Sequence, residues 1–333
     1  MNRQIALSPL LHAFFHDYLV RQRNVSEHTI RSYRDAWKLF LGFCSARQHR
    51  PVSKLSLGDL SAPDLLAFLD HTERDRKASI GTRNCRLAAV RSFFSYVATR
   101  EPLAIDQCTA VLHIPVKRTA TRPPTYLDPK EISQILSQPD QQSLEGYRDY
   151  VLLSFLYQTG ARIQEALEIR PKDIRFESPP CVRLLGKGRK ERLCPLWPET
   201  VAELRELLHR QPRGDDESVF VSRYGRPLGA SGVRFKLAGY VAAAAKAFPS
   251  LARKRVTPHT FRHSAAVSLV SAGNDVTVIR DWLGHASLDT TNLYAQANLE
   301  TKRRALQDIR SRSSHRAPRW KREVGLIEWL ESL

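Results

Sequence analysis

Thr257-Pro258-His259-Thr260-Phe261-Arg262-His263-Ser264 reads as the start of a helix. Thr257 suits the cap, and Pro258 suits the first helical position, where its missing amide hydrogen costs nothing. This places His259 in the first turn and Arg262 three residues later on the same face. A histidine and an arginine there, backed by the helix amides, form a compact anion site. Taken singly, a His-x-x-Arg match is most often an ordinary helix start with incidental polar groups. Its weight depends on what flanks it.

Upstream, Thr159-Gly160-Ala161-Arg162-Ile163-Gln164-Glu165-Ala166-Leu167 has a glycine for a sharp entry, then an arginine and a glutamate on one helix face. Arg162 near a helix start is suited to hold a phosphate bidentately, and Glu165 to orient its guanidinium. Between the two helix starts, Cys181 to Leu196 reads as a β-hairpin. Its turn is basic and glycine-rich: Gly186-Lys187-Gly188-Arg189-Lys190-Glu191. A lysine on such a turn can enter a groove and donate a proton to a leaving oxygen. Downstream comes Trp282-Leu283-Gly284-His285-Ala286-Ser287-Leu288-Asp289-Thr290-Thr291-Asn292-Leu293-Tyr294. Gly284 is expected to end one helix and Ser287 to begin another, with Tyr294 two turns into it. Alone, the Arg–Glu pair is usually a surface ion pair, the basic turn an exposed loop and the tyrosine a packing residue.

Jointly these ordinary readings fail. The four segments, in this order, supply two arginines, a lysine, two histidines and a tyrosine, and the set resembles the tyrosine recombinase (phage integrase) family, particularly its Xer-like bacterial members. That signature is Thr-Gly-x-Arg-x-x-Glu, Gly-Lys-Gly-x-Lys, His-x-x-Arg-His, and Leu-Gly-His with a tyrosine nine residues later, the spacing found from His285 to Tyr294. The resemblance is strong from Leu127 to Tyr294. Nearer the N-terminus it is one of pattern, as in Val25-Ser26-Glu27-His28-Thr29-Ile30-Arg31-Ser32-Tyr33. Asn292-Leu293 and Ala295-Gln296 around the tyrosine depart from commoner residues there without touching the chemistry.

The resemblance implies a fold that is mostly α with a small antiparallel sheet, arranged as a two-domain DNA clamp. It implies that Tyr294 attacks the scissile phosphate and forms a 3′-phosphotyrosine, while Arg162 and Arg262 hold the non-bridging oxygens. Lys187 would protonate the departing 5′ oxygen, His259 and His285 would donate hydrogen bonds and assist proton transfer, and Glu165 would support Arg162. No metal, nucleotide or other cofactor is implied. The implied partners are double-stranded DNA with specific target sites and other copies of the chain, as a homotetramer on two duplexes. A related recombinase or an accessory DNA-bending protein also fits.

These residue types suit the reaction on chemical grounds. A phosphodiester repels nucleophiles, and its transition state gathers further negative charge, which forked guanidinium donors stabilise without a metal. The tyrosine phenol, with a reference pKa of about 10, needs positive neighbours to lose its proton at neutral pH. The alkoxide leaving group is a strong base, comparable to hydroxide from water of pKa about 15.7, and needs an acid. The covalent intermediate keeps the energy of the broken bond, so a 5′ hydroxyl from another strand can reseal it without ATP.

Composition agrees with a polyanion partner: 52 Lys+Arg against 34 Asp+Glu give a formal charge of +18. Cys44, Cys85, Cys108, Cys181 and Cys194 are an odd set without a Cys-x-x-Cys pair, which argues against a disulfide framework or a zinc site. No apolar run approaches the roughly 20 residues of a membrane span. Leu11, Phe14, Phe15 and Tyr18 recur at helical spacing, interrupted by His12, His16 and Asp17, unlike a signal peptide. A cytoplasmic protein, nucleoid-associated when on DNA, is expected.

Along the chain, residues 1–113 read as a helical DNA-binding domain, 114–125 as a linker, 126–310 as the catalytic domain and 311–333 as a tail. In the first domain Ser26 is expected to cap a helix with the stripe Ile30, Tyr33, Trp37, Phe40, Leu41 and Cys44. Ser61 begins another carrying Leu65, Leu66, Phe68 and Leu69, and a third runs from about Ser79 to Thr99 with Leu87, Val90, Phe94 and Val97 on one side. Arg83, Arg86 and Arg91 surround that stripe as candidate contacts to DNA backbone. Lys117 and Arg118 in the linker, and Arg189 and Lys190 in the hairpin turn, join them. The linker, Ile114 to Thr125, has three prolines and three basic residues and reads as extended. Asp128, Pro129 and Glu131 then read as a capped helix start. In the tail, Leu299 to Ile309 reads as helical, Ser311 to Arg319 as a basic linker and Gly325 to Leu330 as an apolar-rich segment that packs on its own domain or, as the resemblance implies, docks on a neighbouring subunit.

Two other function classes bear on the set. A type IB topoisomerase-like enzyme uses similar chemistry on one duplex, without joining two DNAs. A regulatory DNA-binding factor with vestigial catalytic residues would form no covalent adduct, and the intact set of six argues against it. A metal-dependent nuclease is disfavoured because no carboxylate cluster in the sequence resembles a metal site.

Overall fold

The computed structural model describes residues 5–119, 124–186 and 190–284. The chain divides into two compact units, Met1–Thr121 and Arg122–Leu333.

The first unit is helical among its described residues. α1 (Leu7–Ala13) continues into a π-helical stretch, Phe14–Gln22, followed by α2 (Glu27–Gln48), α3 (Ala62–Arg74), α4 (Ile80–Ala98) and α5 (Ile105–Leu112). The expected caps are in place, since Ser26, Ser61 and Ser79 each accept an amide from the first turn of the helix they begin. Trp37, Phe40 and Cys44 of the α2 stripe are buried, as are Leu87, Val90, Phe94 and Val97 of α4. Rings of Phe14, Trp37 and Phe93 meet edge-on at the centre. Leu66 instead faces solvent, because Leu65, Phe68 and Leu69 already fill the buried face of α3.

The expected linker begins bound to this unit. Ile114 is buried in its core, and the carbonyl of Pro115 accepts Arg83 Nη1 at 3.2 Å. Lys117 exchanges two hydrogen bonds between its backbone and the Asn84 amide side chain.

In the second unit, α6 (Pro129–Leu136) starts on the expected Asp128–Glu131 capping box. α7 (Leu144–Thr159) is the central helix, packed against α9 (Pro198–Arg210) and α11 (Pro258–Ser271). Val151, Leu152, Phe155 and Leu156 of α7 are almost fully buried, each contributing roughly 1.5–3 kcal/mol of transfer free energy. α8 (Ile163–Leu167) follows α7 after Gly160. α10 (Ala230–Ala244) and α12 (Val276–Leu283) complete the described helices.

The sheet has three antiparallel strands in the order β1 (Ile174–Arg175), β2 (Cys181–Leu185), β3 (Glu191–Pro195). β2 and β3 form the expected hairpin, with Val182 opposite Cys194 and Leu184 opposite Arg192. The two-residue β1 is an addition that its length hid from a reading by alternation. Val182, Leu184 and Cys194 point into the core, and Arg192 lies on that same inward register.

Candidate functional site

Three chain segments place the site. The first is the break between α7 and α8. Gly160 ends α7 with φ of 62°, in the left-handed region that favours glycine. A Cβ there would stand 2.4 Å from Leu283 Cδ2, so glycine also permits α12 to approach. Arg162 then caps α8 from extended backbone, not from within the helix as the sequence suggested. Its amide donates to Glu165 Oε2 at 2.9 Å and its Nη1 to Glu165 Oε1 at 2.7 Å.

The second segment is the start of α11. Thr257 accepts the Thr260 amide, and Pro258 holds the first turn. Lys254, bound to Glu131 at 2.6 Å and to the Tyr126 carbonyl at 3.0 Å, fixes the approach to this cap. Leu127 donates its amide to Ser264 Oγ farther along the helix, at 2.8 Å. The buried Arg262 donates from Nη1 to the Gly160 carbonyl at 2.6 Å and from Nη2 to the Leu283 carbonyl at 2.7 Å. His259 stays exposed one turn earlier, its ring edge-on to His263 with centroids 4.5 Å apart. Its pKa is lowered by desolvation against the surrounding protein, then by the charges of Arg262 and Arg162. His263 is pushed down to about 4 by burial first, then by His259 and Arg262, so it is neutral around pH 7.

The third segment is the end of α12, which Gly284 closes in the left-handed conformation the sequence anticipated. Its last carbonyls lack intrahelical partners and carry the negative end of the helix dipole. Three consecutive ones each receive an arginine: Trp282 from Arg192 Nε at 3.0 Å, Leu283 from Arg262 Nη2 at 2.7 Å, and Gly284 from Arg162 Nη2 at 3.3 Å. Trp282 Nε1 adds a bond to the Thr159 carbonyl at 3.1 Å, joining α12 to the end of α7.

Sequence reasoning missed Arg192. Its Nη2 donates to Glu165 Oε2 at 2.6 Å, so the buried Glu165 carboxylate lies between two guanidinium groups. Burial alone would raise the Glu165 pKa, but hydrogen bonds from Arg192 and Arg162, with the charge of Arg192, hold it below the usual carboxylate range. The missed signal was strand alternation: Glu191 and Leu193 face out and Cys194 faces in, which turns Arg192 inward.

The structure thus brings together Arg162, Glu165, His259 and Arg262, adding Arg192 and His263. Lys187, Arg189, His285 and Tyr294 lie outside the described residues. Gly186 and Lys190, which bracket Lys187 in the chain, are joined by the Gly186 amide donating to the Lys190 carbonyl at 2.8 Å. Of the candidate DNA contacts, Arg83 is buried and Lys117 exposed, and both pair with Glu73, at 3.4 and 2.7 Å. The Arg83 guanidinium is therefore engaged inside the first unit, which leaves it little surface for a DNA backbone. Arg86 is half-buried and donates to Thr72 Oγ1 at 2.8 Å. Arg91 is half-buried, and Arg118 and Lys190 are exposed. The core arrangement suits a tetrahedral anion: two forked guanidinium groups and an imidazole beside a helix N-terminus.

Residues 125–301 match the phage integrase family, and residues 13–101 match the phage integrase N-terminal SAM-like domain. The putative integrase/recombinase y4rC of Sinorhizobium fredii is 38% identical over 333 residues, covering 100% of both chains. Tyrosine recombinase XerC of Chlamydia caviae is 28% identical over 312 residues, covering 88% of this chain and 96% of that one. In fold, the chain resembles the XerH site-specific recombinase bound to palindromic difH substrate in a post-cleavage complex. That match has a TM-score of 0.65 at 21% identity and covers 92% of this chain and 90% of that one. It also resembles lambda integrase in a tetramer bound to a Holliday junction, with a TM-score of 0.64 at 14% identity, covering 88% of this chain and 78% of that one.

Proposed function

The chain belongs to the phage integrase family of tyrosine site-specific recombinases, and on that premise we propose how its own residues divide the work of cutting and rejoining DNA. Arg162 and Arg262 grip the two non-bridging oxygens of the scissile phosphate. His259, neutral near pH 7, donates a hydrogen bond and relays a proton. The Tyr294 phenol gives its proton to the neutral His259 as its oxygen bonds to phosphorus and the bond to the 5′ oxygen breaks, and Lys187 gives that oxygen a proton. His285 assists at the phosphate. A 5′ hydroxyl from a second strand then displaces the tyrosine, and the proton returns along the same groups.

The observation that carries this reading is the meeting of Arg162 and Arg262 at the end of α12, the helix whose cap precedes His285 in the chain, with His259 near enough to feel both charges. Charge stabilisation by preorganised donors of this type removes the need for a metal at the phosphate. Arg91, Arg118, Arg189 and Lys190 are assigned to DNA contact, with Arg86 able to add to it. The working assembly is a homotetramer on two duplexes that carry specific target sites.

The test is covalent trapping. Duplexes enriched from a random-sequence pool by binding to the full-length protein are nicked beside the expected cleavage point and incubated with protein in chelator. A denaturant-stable adduct from the parent and none from Tyr294→Phe supports the assignment. Specific binding without an adduct from either overturns it in favour of a regulatory DNA-binding role. Products joining two different duplexes separate recombination from topoisomerase-like action.

A further inference from the structure

Arg192 touches three parts of the site at once. Its guanidinium donates to Glu165 Oε2 at 2.6 Å and to the Trp282 carbonyl at 3.0 Å, from a side chain only 10% exposed. It also crowds one glycine, Gly284, and lies in ordinary contact range of a second, Gly186. A Cβ on Gly284 would stand 3.1 Å from Arg192 Cδ, and one on Gly186 would stand 3.6 Å from Arg192 Nη1 and 3.4 Å from Glu165 Oε1. The arginine therefore fills the space between the mouth of the β2–β3 turn, the Arg162–Glu165 pair and the end of α12.

We propose that Arg192 is a positioning residue for strand cleavage, a strut that holds β3, the Arg162–Glu165 pair and the α12 cap in one register. This rests on the catalytic reading above and goes beyond it, because Arg192 belongs to none of the motif positions and its described bonds are all internal. The physical reason lies in how Glu165 is shared. The buried carboxylate has two oxygens: Oε1 takes Arg162 Nη1, while Oε2 takes the Arg162 amide and Arg192. With Arg192 occupying Oε2, Arg162 engages Glu165 with Nη1 alone, and its remaining N–H donors, one of them turned to the Gly284 carbonyl at 3.3 Å, stay on the side open to a phosphate. Without Arg192, Oε2 and the Trp282 carbonyl each lose a charged donor. The carboxylate then draws the Arg162 fork into a two-pronged grip, away from substrate.

The strut also governs when Glu165 stays ionised. The charged groups nearest to it are Arg162 at the start of its own helix and Arg192 from β3. Glu168, Arg170, Lys172, Asp173, Arg183 and Glu191 line a cavity with it. Arg192 provides the largest of the influences that oppose the burial of Glu165.

The experiment compares parent, Arg192→Lys and Arg192→Met full-length proteins on the enriched nicked duplex, measuring duplex binding and the rate of covalent adduct formation from mildly acidic to neutral pH. Lysine keeps the charge but is a point donor that cannot span both acceptors. We expect binding within about twofold of the parent, with adduct formation slowed about tenfold in Arg192→Lys and about a hundredfold in Arg192→Met, the scale of an ångström-level misplacement. The acid limb of the rate should move to higher pH in Arg192→Met, as Glu165 protonates more readily, and less in Arg192→Lys. Parent-like rates with an unmoved limb in Arg192→Lys would overturn the proposal. So would a loss of adduct that merely follows lost binding or lost folded protein. If Arg192→Met does not fold, Arg192→Lys decides alone. Absence of an adduct from the parent is a different failure, that of the catalytic reading itself.

Discussion

Arg262 and Leu283 are joined by a 2.7 Å hydrogen bond from the guanidinium Nη2 to the backbone carbonyl, and the arginine is 1% exposed. Its Nη1 reaches the Gly160 carbonyl at 2.6 Å, so one side chain bonds the ends of both α7 and α12. The residue assigned to the phosphate is thereby part of the framework that shapes the site. Its orientation is set before DNA arrives, which is what electrostatic preorganisation requires.

Arg262→Lys should therefore fail in two ways. An ammonium cannot span both carbonyls, and an acceptor left unmet in a buried place costs about 1–3 kcal/mol. Urea unfolding should register that loss. Adduct formation on the nicked duplex should fall by about 10²–10³, the scale for removing one donor aimed at developing charge. A variant with parental stability and parental adduct yield would remove Arg262 from both roles.

Gly160→Ala tests the close approach at the α7 terminus. The new Cβ meets Leu283 Cδ2 at 2.4 Å on backbone with φ of 62°. The left-handed conformation costs roughly 1 kcal/mol for a residue with a side chain, and crowding a packed site about 1–3 kcal/mol more. We expect a loss of about 2–4 kcal/mol in urea unfolding on these grounds, with cleavage reduced because Leu283 and Gly284 must shift. Stability within about 0.5 kcal/mol of the parent would show that α12 yields freely, against the usual behaviour of a packed core.

Much of this was legible in the sequence, and for identifiable reasons. Ser26, Ser61, Asp128 and Thr257 cap helices where local chemistry says they should, because a cap depends only on residues three or four positions away. Arg162, Glu165, His259 and Arg262 stand out in the sequence because their spacing repeats a known combination, and the fold brings them together. Arg192 does not, because its partners Glu165 and Trp282 are 27 and 90 residues away in the chain. Burial of Arg83 was likewise hidden, since it depends on Pro115 and Glu73 closing over the α4 face. Alternation along β3 could have turned Arg192 inward, but which distant groups it and Arg83 meet leaves no trace in a sequence.

Trp282→Phe isolates the side-chain link between α12 and α7. The indole donates to the Thr159 carbonyl at 3.1 Å, whereas the backbone carbonyl that receives Arg192 is untouched by the substitution. The variant should lose about 1 kcal/mol in unfolding, the net worth of one hydrogen bond, and keep cleavage within about tenfold of the parent. A larger loss of cleavage would mean that the indole fixes the α12 cap more firmly than Arg192 does.

Removing Gly325 to Leu333, which lie outside the described residues, tests the assignment of the apolar-rich C-terminal segment to a neighbouring subunit. Single-duplex binding should be kept while assembly of two duplexes, read by native gel or light scattering, falls. Unchanged assembly would return the segment to its own unit.

The histidine pair at the start of α11 gives the site an acid sensitivity with a definite sign. His263 has its pKa lowered from 6.5 to about 4, by burial first and then by His259 and Arg262. His259 is lowered as well, by desolvation first and then by the charges of Arg262 and Arg162. Folding thus favours the neutral rings, and the unfolded chain binds more protons between the two pKa values. Stability from this source is fully present above about pH 6.5 and is lost as pH falls towards about 4. Urea midpoints of the parent should decline across that window, and those of His263→Gln should decline less. At higher pH His263→Gln should keep DNA binding while slowing adduct formation, because the edge-on ring that backs His259 is gone. If both proteins lose stability equally on acidification, His263 is not the group that titrates, and the decline belongs to carboxylates such as Glu131 and Glu165, whose depressed pKa values place their effect lower still.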